Sequence, residues 1–128
     1  MKFRVFPVIL LALVLIPFTV GCAKKTDSKR PIEKIQKEVV SMSLPELESR
    51  AVSYAAAIRL QNDEIEKIQK KIQKMPMDQV FNNKSMTRRI AEIGREGDAL
   101  FERYRIYAMA FQEKGGDPSK IQLEPSQK

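Results

Sequence analysis

The spacing of apolar residues changes along the chain, and each change marks an element. Val8 to Ile16 is an unbroken apolar stretch, whereas Ala23 to Arg30 shows no periodicity. From Pro31 the spacing becomes helical. Ile32, Ile35, Val39 and Met42 share one face and Glu33 and Lys37 form an i,i+4 pair on another, which predicts a short helix over 31–42. A second helix, over 44–75, is announced by Ser43 and Glu46 at capping-box spacing, Met42 and Leu47 at staple spacing, and Pro45 in the first turn. Its apolar positions repeat every seven residues through Leu44, Ala51, Ile58, Ile65 and Ile72, and through Leu47, Tyr54, Ile68 and Met75, with Gln61 the one break.

Pro76 stops that helix, and the stretch "PMDQVFNNK" reads as a loop whose Val80 and Phe81 cap a hairpin. A third helix, over 85–114, carries Met86, Ile90, Ile93, Gly97, Leu100, Tyr104, Tyr107 and Phe111 on its seam and ends at Gly115, Gly116 and Pro118. Two seams joined by a short loop predict an antiparallel pair. Its compact register sets Ile68 near Ile90, Tyr54 near Tyr104 and Leu47 near Phe111, with Gln61 opposite Gly97 and free to reach solvent past it. Phe101, Ile106 and Met109 lie off the seam, so the first helix is expected to fold back over them. The other half of the rod would then be two-stranded and dependent on a partner.

The expected fold is therefore all-α: a coiled-coil-like antiparallel hairpin of about 45 Å with a short N-terminal third helix, a disordered tether and a disordered tail. The hairpin domain spans 31–114, and the Gly-, Pro- and Ser-rich stretch 115–128 reads as a flexible tail.

The first 21 residues read as a targeting segment outside that domain. Lys2 and Arg4 precede the apolar run, and Pro17 to Gly21 relaxes towards small residues, which is the secretory order. The stretch from Val5 to Val20 is short of the roughly 20 residues a spanning helix needs, and it contains Pro7 and Pro17. The single cysteine, Cys22, follows directly. By itself a lone cysteine is a buried hydrophobe, a reactive thiol, half of an intermolecular disulfide or a lipid attachment point.

Thr19-Val20-Gly21-Cys22 resembles the lipobox of bacterial lipoprotein precursors, with Thr19 standing where that family usually has Leu. The resemblance covers about the first 22 residues. It implies that Cys22 receives a diacylglycerol, that a signal peptidase cuts after Gly21, and that the new amino terminus is acylated. Residues 22–30 would then be a lipidated tether. Ala23 lacks the Asp that in this family retains proteins at the inner membrane, so a host with two membranes is expected to deliver the chain to the outer membrane, facing the periplasm.

Charge fits that address. The net charge is +7 from 23 basic and 16 acidic residues. Lys24, Lys25, Lys29 and Arg30 crowd the tether, whereas the body beyond is nearly balanced. A basic tether beside anionic lipid gains about 1 kcal/mol per residue. A nucleic-acid partner is not expected, because no basic stripe with interleaved aromatics follows.

Catalytic chemistry has little to draw on. The chain has no histidine and no second cysteine, which removes the common metal, thiol and general-base sets. Asp63, Glu64 and Glu66 face Lys67 and Lys70 at helical spacing and read as a solvated ion-paired face. Gly94 and Gly97 neither follow a strand nor start a helix, so they read as points of close helix approach or local looseness. No enzyme activity, metal, cofactor or small-molecule substrate is expected. The expected partners are the bilayer, through acylated Cys22, and a protein or second copy on the helix faces, in a scaffold or interaction role. Lys128 ends the sequence. A weaker resemblance to the murein lipoprotein family, whose C-terminal lysine is joined to peptidoglycan, implies an alternative role as a peptidoglycan-linked tether through that residue. A pilotin-like accessory subunit of an envelope complex is a third reading.

Overall fold

The computed structural model describes residues 26–123, and all of their regular structure is helical. In chain order the elements are α1 (Ile32–Ser41), α2 (Leu44–Gln73), α3 (Met77–Asn82), α4 (Lys84–Glu113) and a 3₁₀ turn, Pro118–Ile121. The fold is the antiparallel hairpin with a third N-terminal helix. Tyr54 of α2 stacks on Tyr107 of α4 with ring centroids 5.5 Å apart, whereas Glu64, ten residues further along α2, meets Arg89 at 2.7 Å. Advancing along one helix means retreating along the other, so α2 and α4 are antiparallel. Each has 30 residues and spans about 45 Å.

Local chemistry sets the boundaries. Glu46 accepts from both the backbone N–H and the hydroxyl of Ser43, each at 2.8 Å. These bonds hold its carboxyl below the ordinary range, and they close the start of α2 as the capping spacing predicts. At the far end Asn83 accepts at Oδ1 from the Met86 N–H at 3.3 Å and caps α4. The segment between is not the loop expected from its sequence. Pro76 pre-sets the first turn of α3, whose Phe81 is 78% exposed and caps nothing, while Val80 is half-buried.

α4 ends in a Schellman turn. Gly115 takes φ +85°, its N–H reaches the Gln112 carbonyl, and the Gly116 N–H reaches the Phe111 carbonyl, both at 2.9 Å. That turn redirects the chain against α2 and α4. Ile121 becomes 2% exposed and its carbonyl accepts from the Tyr104 hydroxyl. Residues 115–123 are therefore folded, which corrects the expectation of a flexible segment from residue 115; Ile121, three residues past the proline, and Leu123 pack on the core, and residues 124–128 lie outside the described residues.

The core lies in one half of the rod. Ile35 and Val39 of α1, Leu47, Ala51, Tyr54 and Ile58 of α2, Leu100, Tyr107 and Phe111 of α4, and Ile121 form one buried cluster. As expected, α1 folds back onto α4, but it covers only part of what it was expected to cover. Ile106 packs against the cluster, while Phe101 stays 43% and Met109 54% exposed. In the apex half Ile93 alone is buried, and Ile65, Ile68, Ile72 and Ile90 are half-buried.

The expected register is also adjusted. Leu47 and Phe111 share the core, but Tyr54 stacks on Tyr107, not Tyr104. Gln61 is half-buried, and its Oε1 does not make the expected exit but is enclosed with no hydrogen-bond partner among the described residues. Gly97 is not a point of close approach, because a Cβ placed there, or at Gly94, meets nothing within 4 Å.

Candidate functional site

The residues expected to carry attachment divide at the edge of the described chain. The targeting segment 1–21 with Thr19, Val20 and Gly21, the attachment residue Cys22, the cations Lys24 and Lys25, and the terminal Lys128 all lie outside residues 26–123. Lys29 and Arg30 lie within them, in an arm formed by Thr26–Arg30.

That arm is not a solvated spacer. Asp27 accepts at Oδ1 from the Lys29 N–H at 2.8 Å, and its carbonyl accepts from the Arg30 N–H at 3.3 Å, which folds the arm into a turn. The turn is fastened to both long helices. The Tyr54 hydroxyl of α2 donates to the Asp27 carbonyl at 3.3 Å. Arg103 of α4 grips the Arg30 carbonyl with Nε at 3.0 Å and Nη2 at 2.7 Å, and its Nη1 donates to the Ala99 carbonyl at 2.7 Å.

Arg103 is 8% exposed and pairs with no carboxylate among the described residues. A buried guanidinium is costly unless its donors are satisfied. Here carbonyl dipoles satisfy it, and two of its three bonds hold the arm.

The Arg30 side chain turns the other way and pairs with Glu38 of α1. Burial works against its charge, but the Glu38 bond together with the neighbouring Tyr107 and Tyr54 outweighs that and raises its pKa above the ordinary value. Arg30 is therefore a structural cation, which corrects its expected place among the free surface charges; Lys29 remains exposed. Beneath the arm the Tyr107 side chain is fully buried and its hydroxyl has no partner among the described residues. Burial is the main reason its phenol is pushed above the ordinary value. At the closed end of the rod, Lys114 Nζ donates to the Val40 and Met42 carbonyls at 2.9 and 2.6 Å, serving the groups that α1 leaves open at its C-terminus.

The helix faces offer the remaining surface. Val40, Val52 and Leu60 are 75%, 45% and 69% exposed, more apolar exposure than the seams alone would leave. The acidic cluster on α2 behaves as its spacing predicts at Glu66 but not at Asp63, which forms no pair with Lys67 among the described residues. Glu66 pairs with Lys70 on the same helix, and Glu64 reaches across to Arg89. No three-residue group of metal-ligating side chains occurs among the described residues, and none of their helices is long and apolar enough to cross a membrane.

Periodicity along the sequence does not reveal the clamp on the arm. Its one signal is Arg103 itself, three residues after Leu100 and four before Tyr107, a charge set into an apolar face. Comparison with protein-family models, with curated proteins and with solved structures finds no match.

Proposed function

We propose that this chain is a lipid-anchored helical protein of the bacterial cell envelope, working as a structural, scaffold or protein-interaction module without catalysis. The observation that supports it best is the clamp on the arm. The segment leading from Cys22 is fastened to both long helices by Tyr54 and Arg103, so an anchor at Cys22 would orient the hairpin instead of trailing it. A rod held in this way, with Val52 and Leu60 left on the outside of α2, suits a part that positions other molecules. If the host has two membranes, the outer one, facing the periplasm, is the proposed location.

Intact mass of the protein purified from membranes tests the anchor. The expected mass corresponds to a chain beginning at Cys22 with added acyl chains; an uncleaved, unmodified chain refutes it. Cross-linking in intact envelopes tests the role. A discrete cross-linked partner or homo-oligomer is expected, and strict monomer behaviour refutes it.

A further inference from the structure

The apex of the hairpin has a composition unlike the rest of the rod. Residues 70–89 carry six basic side chains, Lys70, Lys71, Lys74, Lys84, Arg88 and Arg89, against the single acid Asp78. Lys70 and Arg89 are occupied by Glu66 and Glu64, while Lys71, Lys74, Lys84 and Arg88 are exposed and carry no ion pair among the described residues. At the summit α3 leaves Met77 73% and Phe81 78% exposed. The summit thus presents two large apolar side chains beside exposed Asp78, Gln79 and Asn82, and the free cations form a collar within two helical turns, about 11 Å, behind it. Apolar side chains seat about 5–10 Å into the boundary between head groups and acyl chains, with Lys and Arg at the head groups. The collar and the summit match that spacing.

The clamp on the arm keeps the rod close to the bilayer that holds the anchor. Cys22 lies five residues before Asp27, a span of at most about 18 Å, and Asp27 is held at the level of Tyr54. The start of α2 lies about 15 Å from that level and the end of α2 about 28 Å in the other direction. An anchor at Cys22 therefore keeps the level of Tyr54 within about 18 Å of the bilayer, so the end of α2, about 28 Å further along, meets that same surface when the rod inclines. The geometry points to the apex, through Met77, Phe81 and their basic collar, docking on the anionic surface of the same bilayer that holds Cys22. This rests on the anchored reading above.

The chain has no tryptophan, so Phe81→Trp in the full-length protein gives a single reporter at a site too exposed to disturb the fold. The protein is reconstituted into phosphatidylcholine vesicles with and without phosphatidylglycerol; flotation reads the anchor and Trp emission reads the apex. The expected result is co-flotation on both compositions, with blue-shifted emission and quenching by brominated lipid only on the anionic one, reversed by about 1 M salt. Lys71→Gln with Lys74→Gln should weaken apex docking about 25-fold, about fivefold per lysine. Co-flotation with water-like emission on anionic vesicles overturns the docking and leaves the anchor standing. A blue shift only when separate anionic vesicles are added assigns the apex to a second membrane and overturns it. A shift with polyglutamate but not with lipid assigns the apex to an acidic protein and likewise overturns the docking. Failure to float overturns the anchor and the inclined geometry with it.

Discussion

Replacing Gly94 and Gly97 by Ala asks whether the apex half of the hairpin is loose or closely packed. Glycine in a helix interior costs about 1 kcal/mol relative to alanine, because it loses more backbone freedom on folding. That gain is realised only if the new methyl fits. At both positions a Cβ meets nothing within 4 Å, so no clash offsets it, and the two sites share no packing partner that would make them couple. The double variant should gain about 2 kcal/mol. With about 4–8 °C per kcal/mol for a domain under 100 residues, thermal unfolding followed by far-UV circular dichroism should shift upward by about 8–16 °C. Amide exchange should slow in α4 around residue 95, where the stabilisation is local. A double variant that melts at or below the parent refutes the reasoning, because it means the helices meet at these glycines.

Gly116→Ala should act in the opposite direction. Its Cβ would overlap the buried Phe111 ring, costing about 1–3 kcal/mol, readable as a lower urea midpoint. Ile121→Ala should cost about 2–4 kcal/mol and render residues 118–123 sensitive to protease, whereas a tail that contributes nothing would show neither effect. Arg103→Leu should leave the Arg30 carbonyl without its two donors and lower stability by about 1–3 kcal/mol, with faster amide exchange in α1; unchanged exchange there would refute the clamp. The Tyr104 and Tyr107 phenols are both raised above 10.0 by burial. Their contribution should be complete below pH 10 and lost as pH rises through the raised values, and Tyr104→Phe with Tyr107→Phe should flatten that alkaline decline in melting temperature.

The helices and their antiparallel pairing were legible because apolar spacing, proline stops and the Ser43–Glu46 box all indicate the same boundaries. What escaped were features in which one side chain outweighs local composition. The arm looks polar and aperiodic, yet one guanidinium from α4, 73 residues away, fastens it. The tail reads as Gly, Pro and Ser, but Ile121 and Leu123 pack it on the core once Gly115 has turned the chain. Gln61 opposite a glycine suggested an exit to solvent, because spacing along a helix says nothing about whether the neighbouring atoms close over a polar tip. For the attachment residues the limit is different: the lipobox pattern around Cys22 lies outside the described residues and rests on the sequence.

The clamp also sets a load path. Tension arriving from the N-terminal side meets the bonds from Tyr54 and Arg103 to the Asp27 and Arg30 carbonyls before it reaches α1, so it is divided between α2 and α4. α1 starts at that junction and runs to the closed end, where Lys114 holds its last carbonyls. If the Arg103 grip is lost, only the Tyr54 bond to the Asp27 carbonyl stands ahead of α1, and a joint that shares force across two helices becomes one that hangs on α2 alone.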